Sequence, residues 1–290
     1  MEIQSLSIDV PAGCLNNCKF CVSKVHPQGY ENLIDQGKET DNFYIEEYIK
    51  RLNFARDNNC SIAMLTGTGE PLSNQKFLLQ FAEWNKRLKS PFKWIELQTS
   101  GLFLTENYLK TLSYNVGVNT ISLSLSDMFD SDRNAEYNGT PIGYQVYIKF
   151  LCNLILSHDF NLRLSLNMTD AYNNKSVDEI FDKAKSLGAN QITFRKLYTT
   201  KDLKLEQNQW INKHSCKVEK LYEIESYIKD FGNPLEILPF GARKYSVQEM
   251  SVVLDDDCMS KNADRVLKYL ILRPNCKLYS RWDDKGSLYF

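Results

Sequence analysis

The strongest constraint on this chain is a repeating alternation of strand-like and helix-like runs over its first two thirds. Ile3–Val10 alternates as a strand and ends at Pro11 and Gly13. A helix is predicted over Tyr44–Asn58, with Ile45, Tyr48, Ile49, Leu52 and Ala55 at helical spacing. The pattern continues with strand Ser61–Leu65, helix Gln75–Leu88, strand Trp94–Gln98, helix Glu106–Tyr114 and strand Thr120–Leu125. A polar loop then leads to helix Tyr144–Ser157, strand Asn161–Met168, helix Val177–Leu187 and strand Gln191–Leu197. Such alternation predicts successive βαβ units and a parallel sheet, with every strand's C-terminal end on one edge. Ligands of these folds collect on the loops at that edge. After residue 200 the rhythm changes to a helix from Gln209 to Phe231, strands at Leu235–Leu238 and Ser246–Leu254, and a hairpin of Tyr269–Arg273 with Leu278–Trp282.

Composition narrows the class. With 290 residues and 43% hydrophobic content, the chain can bury a large core. A net charge of −1 offers no global field for nucleic acid or an anionic membrane, and no apolar run reaches the ~18 residues of a bilayer span. The start, Met1-Glu2-Ile3-Gln4-Ser5-Leu6, lacks the basic and apolar blocks of a secretory signal, so the expected compartment is the reducing cytoplasm.

In that compartment eight cysteines need an account. Cys60, Cys152, Cys216, Cys258 and Cys276 are scattered, as small buried residues are. The other three crowd into Cys14-Leu15-Asn16-Asn17-Cys18-Lys19-Phe20-Cys21, on the loop leaving the first strand. Thiolates are soft ligands selected by iron–sulfur clusters and by zinc. Three thiolates leave one iron of a cubane open for a non-protein ligand. With His26 as fourth ligand the same run reads as Cys-x3-Cys-x2-Cys-x4-His, a closed zinc site. The second strand ends in Gly67-Thr68-Gly69-Glu70-Pro71, where glycine permits close approach of backbone to a ligand.

The Cys14-x3-Cys18-x2-Cys21 spacing, with an aromatic Phe20 before the last cysteine, resembles the signature of the radical S-adenosylmethionine (SAM) superfamily. Gly69-Glu70-Pro71, one βα unit later, resembles that family's Gly-Gly-Glu-Pro turn, with Thr68 in place of the first glycine. The resemblance implies a partial (β/α)6 barrel over residues 1–200, an α/β fold, with an α+β appendage at 201–290 covering or flanking the barrel mouth. It implies one [4Fe–4S] cluster on Cys14, Cys18 and Cys21, and SAM held by Phe20, Gly69, Glu70, Thr99, Ser124, Asn167 and Leu197. The implied reaction is reductive cleavage of SAM to a 5′-deoxyadenosyl radical that abstracts hydrogen from a small-molecule or peptide substrate. A flavodoxin or ferredoxin is the implied electron donor.

Within the superfamily the layout of Asn167–Leu197 and of the tail Leu270–Tyr279 is similar to the branch holding the molybdenum-cofactor cyclase and peptide-modifying enzymes. That favours a peptide or nucleotide-derived substrate. A glycyl-radical-enzyme activase, a deazaguanine-pathway enzyme and a non-catalytic zinc or iron–sulfur module are the alternatives. An auxiliary cluster would need Cys216, Cys258 and Cys276, which contain no Cys-x2-Cys pair. Lys196, Lys201, Lys204, Lys213 and Lys217, with Arg195 and Trp210, read as either a basic rim or a solvated face. Arg273, Arg281, Trp282, Asp283 and Asp284 are candidates to close the mouth over substrate, in which case removing residues 269–290 should abolish turnover and spare SAM binding.

Overall fold

Strands rich in Ile and Leu with serines between them can be buried on both faces of a parallel sheet, and the chain builds one. The structure is a computed structural model that describes residues 2–25, 45–238, 242–255, 266–282 and 284–289. Six strands follow in sequence and in space: β1 (Glu2–Asp9), β2 (Ile62–Thr66), β3 (Trp94–Thr99), β4 (Thr120–Leu125), β5 (Asn161–Asn167) and β6 (Gln191–Arg195). Each pairs with the next in parallel. The predicted sheet, its order and its strand positions are therefore observed, and the fold is the mixed α/β arrangement of a partial barrel followed by antiparallel strands.

The longer helices between them are α1 (Ile45–Asp57), α2 (Gln75–Lys86), α3 (Glu106–Lys110, continued by a π turn to Val116), α4 (Ser131–Asn138), α5 (Ile148–Leu156) and α6 (Val177–Ser186). Tyr48, Leu52 and Ala55 of α1 and Phe77, Leu78 and Phe81 of α2 are each at most 1% exposed, which seals the sheet's outer face. A Ser176–Glu179 capping box starts α6.

Several sequence expectations shift. The polar loop before residue 144 contains α4, which buries Asn134 and Asn138 alongside Ala135 and Tyr137. The helix predicted from Tyr144 begins at Ile148, after Gly143 at φ +90°. The single helix predicted over Gln209–Phe231 is two, α7 (Glu206–His214) and α8 (Val218–Phe231). They break where Ser215 bridges Thr169 and the Cys216 amide donates to the Met168 carbonyl at 2.9 Å. The strand predicted over Ser246–Leu254 is a hairpin, β8 (Arg243–Val247) and β9 (Met250–Asp255), turning at Gln248 and Glu249.

The segment after residue 200 joins the sheet at both ends. β8 pairs antiparallel with β7 (Asn233–Ile237) on one side and with β9 on the other, and β9 runs parallel beside β6. β10 (Val266–Leu272) lies parallel to β1 and pairs with β11 (Leu278–Tyr279) in the predicted hairpin. The full order is β11-β10-β1-β2-β3-β4-β5-β6-β9-β8-β7. Among the described residues no helix is long and apolar enough to cross a membrane.

Candidate functional site

The loop after β1 carries the three cysteines, and backbone contacts on both sides hold it. On one side the Glu70 amide donates to the Gly13 carbonyl at 2.9 Å, and the Asn74 side chain donates to the Pro11 carbonyl at 2.7 Å. A Cβ on Gly69 would lie 1.9 Å from the Ala12 carbonyl oxygen, so only glycine lets the two turns touch. On the other side the Asn17 amide donates to the carbonyls of Asn138 and Gly139 at 3.0 and 3.1 Å. Gly139 caps α4 at φ +56°, and a Cβ there would stand 2.7 Å from the Asn17 carbonyl oxygen.

Glu70 is 3% exposed and faces the end of β3. Its Oε1 accepts from the Thr99 hydroxyl at 2.6 Å and the Leu72 amide at 3.3 Å. Its Oε2 accepts from the Ser100 amide at 2.9 Å and the Ser100 hydroxyl at 2.6 Å. Thr99 Oγ1 in turn accepts from the Gly101 amide. Glu70 and Thr99 thus latch the turn after β2 to the turn after β3.

Beneath the loop the strands enclose a cavity of about 570 Å³, lined on the loop side by Phe20 and Cys21. Ser124 and Asn167 line it too, joined by a bond from Asn167 Nδ2 to Ser124 Oγ at 3.2 Å. Its lining includes Glu96, Gln98, Arg163 and Gln191. Arg163 is ion-paired with Glu96 and donates from Nε to Gln191 Oε1 at 2.8 Å. Leu197, buried, packs with Ile211 against Phe20 and Trp210, whose rings lie 5.8 Å apart. Asn138, Gly139, Glu96, Gln98, Arg163 and Gln191 carry no motif that marks them as site residues in the sequence. The Asp130 N-cap and Gly139 C-cap are the signals that could have revealed α4.

The tail supplies a second clamp. Arg273 and Asp9, each 1% exposed, pair at 3.1 Å. Asp9 Oδ1 accepts from the Thr68 amide at 3.1 Å. Burial pushes the Asp9 carboxyl up and the guanidinium opposes it. Arg273 also donates to the Trp282 carbonyl at 2.7 Å and lies over the Trp282 ring. The expectation that Arg273 reaches substrate is therefore corrected: it is spent on Asp9 at the end of β1. Trp282 does line the cavity. Of the basic residues read as a rim or a solvated face, the five lysines are exposed, as a solvated face is, while Arg195 lines the cavity.

Cys14, Cys18 and Cys21 are free thiols. Cys18 Sγ donates to the Asn138 carbonyl at 3.3 Å, and Cys21 Sγ lies 2.9 Å from Ser23 Oγ. Burial pushes the Cys18 thiol up to about 12, and the neighbouring Cys21 and Cys14 sulfurs add to the shift. Cys14, exposed at the surface but with its thiol partly shielded, is also raised, by that partial burial first and then by the Glu70 and Cys21 charges. Three mutually repelling sulfurs suit a cationic metal group. Among the described residues no three His, Cys, Asp or Glu side chains are grouped to hold a single ion. A cubane asks something different, one sulfur at each of three separate iron corners, and the donor set fits it better than zinc. His26, the fourth zinc ligand considered, lies outside the described residues, as do Cys258 and Asp283. Cys216 and Cys276 are buried, their thiols pushed up to about 11.

The family model described as the Radical SAM superfamily matches residues 8–155. Among solved structures, anSMEcpe with bound AdoMet aligns at 19% identity and TM-score 0.54, over 79% of this chain and 60% of its own. Its form with bound AdoMet and Cp18Cys peptide aligns at 18% identity and TM-score 0.56, over 79% and 59%. Coproporphyrinogen III oxidase (HemN) from Escherichia coli, described as a radical SAM enzyme, aligns at 14% identity and TM-score 0.52, over 79% and 52%. The chain thus spans less than two thirds of these proteins' lengths, and at such identities the likeness is one of fold. No curated protein matches the sequence.

Proposed function

The chain belongs to the radical SAM superfamily, and on that premise we propose that it cleaves SAM reductively and uses the 5′-deoxyadenosyl radical to take hydrogen from a substrate in the barrel cavity. It is an enzyme of a family whose cofactors are a [4Fe–4S] cluster and SAM, which sets aside the non-catalytic module. The observation that carries the proposal is the meeting of the cysteine loop with the cavity, since Cys21 and Phe20 share a lining with Ser124 and Asn167.

Cys14, Cys18 and Cys21 would hold the cluster, exchanging the Cys18 and Cys21 hydrogen bonds for iron–sulfur bonds. When bound, such a cluster supplies the electron that breaks the sulfonium carbon–sulfur bond of SAM. Phe20 offers an apolar face at the cavity edge for adenine, backed by Leu197 and Trp210. Ser124 and Asn167 offer a hydroxyl and an amide to the ribose or methionine part. Gly69 keeps the backbone after β2 close to the loop, and Glu70 with Thr99 holds the turn that would receive the amino group. Trp282 and Phe20, both lining the cavity, would restrict water around the reacting groups.

Cys14 is exposed, which suits electron entry from a flavodoxin or ferredoxin. A peptide or nucleotide-derived substrate is favoured, in keeping with the peptide bound by anSMEcpe on a barrel of the same fold. The test is anaerobic reconstitution followed by SAM and dithionite. About four irons per chain and 5′-deoxyadenosine, both lost on Cys18→Ala, are expected. Zinc in place of iron, or a cluster that never cleaves SAM, would sink the proposal.

A further inference from the structure

The cavity's cations are matched unevenly. Arg163 is paired with Glu96, and Lys244 meets Glu236 at 3.0 Å. The Lys268 ammonium sits 6.0 Å from the centre of the Tyr269 ring. Arg195, the last residue of β6, also lines the cavity, yet its guanidinium has no hydrogen-bond or ion-pair partner among the described residues. Its Nε is buried and unsatisfied.

Arginine cannot shed its proton, so a buried N–H of its guanidinium is costly until an acceptor arrives. Two more donors nearby wait in the same state. Ser165 and Ser122 are 2% and 1% exposed, and neither hydroxyl has a partner among the described residues. Ser165 stands between Arg163 and Asn167, on the face of β5 that both of these present to the cavity. In the sheet register Ser122 is opposite Arg163, and Arg195 is opposite Asn167.

We infer that Arg195 anchors an oxyanion of the substrate, a carboxylate or a phosphate, inside the barrel. This rests on the reading of the cavity as the substrate site. The guanidinium's planar fork matches both anions in a bidentate manner that a lysine cannot reproduce. Arg195 ends β6 and the cysteine loop follows β1, at opposite ends of the six-strand run. A substrate anchored at its acidic end on Arg195 therefore extends across the cavity toward the loop. The acid group sets its orientation, and the hydrogen presented lies at a set distance from that group.

SAM carries a carboxylate too, so the experiment must separate the two sources. Calorimetry on the reconstituted holoenzyme would measure the binding of inorganic phosphate with SAM already present, and the binding of SAM alone, at constant ionic strength. The wild type should bind phosphate saturably, Arg195→Gln about tenfold or more weakly, and Arg195→Lys in between, with SAM affinity unchanged. In unsubstituted protein, phosphate should slow modification of Arg195 by phenylglyoxal, read by peptide mass spectrometry, so the test does not depend on the variants folding. Absence of saturable phosphate binding, equal phosphate affinity in Arg195→Gln, or no protection from phenylglyoxal would overturn the inference. A fall in SAM affinity matching the fall for phosphate would also overturn it, assigning Arg195 to SAM. None of these readouts needs SAM cleavage, so failure of the radical chemistry would be seen separately as absence of 5′-deoxyadenosine.

Discussion

Gly69 and Glu70 adjoin in sequence but do different work. The space a side chain would need at Gly69 is filled by backbone, with the Ala12 carbonyl carbon at 2.7 Å and the Gly13 oxygen at 2.8 Å from a would-be Cβ. Backbone cannot yield as a flexible side chain does. Gly69→Ala should therefore displace the cysteine loop, cost about 1–3 kcal/mol and lower iron content after reconstitution, checked by thermal unfolding and metal analysis. At Glu70 both oxygens accept. Glu70→Gln would turn an NH2 toward donors that include a backbone amide, at about 1–3 kcal/mol, measurable by denaturant unfolding. The thiols offer a third test. Burial pushes Cys60 and Cys152 up to about 12, so at pH 8 both stay protonated and shielded in the native state. A thiol reagent should label exposed Cys14 first and leave those two unmodified until the protein unfolds, as mass spectrometry would show.

Among the elements, the clearest lesson is α4. Its sequence, Ser131 to Asn138, is too polar to signal a buried helix, yet Asn134 Oδ1 accepts the Ser126 amide at 2.7 Å and Asn138 Oδ1 accepts the Ser126 hydroxyl at 2.8 Å. The helix faces the polar end of β4 and the cysteine loop, so amides serve there where leucines would not. The β8–β9 hairpin was hidden for a related reason. Its turn places Gln248 and Glu249 at φ +48° and +68°, where Asn-Gly is the readable signal. Glu249→Gly should relieve that strain and stabilise the protein by about 1 kcal/mol, since the Lys185–Glu249 pair it removes is exposed. A higher melting temperature is the expected readout.

At the scale of the whole molecule, the chain after residue 200 makes β1 and β6 interior strands, with β10 on one side and β9 on the other. A cut at residue 269 would remove most of β10 and the partner of Asp9 together, so it should unfold the protein rather than merely open the cavity. Arg273→Ala is the sharper test. It leaves the Asp9 carboxylate buried without its countercharge, and a loss of about 3–5 kcal/mol is expected, with reduced cluster retention, followed by denaturant unfolding and iron content.

The six parallel strands and the cysteine loop at a strand's end were legible in the chain, because hydrophobic period and ligand spacing are local properties carried by neighbouring residues. The sequential order of the strands came only with the family resemblance. So was the fate of Cys60 and Cys152 as buried thiols. The partner of Asp9, the burial of Glu70 against Thr99 and Ser100, the break at Ser215 and the unmatched charge of Arg195 belong to the folded molecule alone. Each depends on which groups from distant segments meet in a region shut off from water. There a hydrogen bond or a countercharge decides the outcome, and no local pattern encodes which residue will supply it.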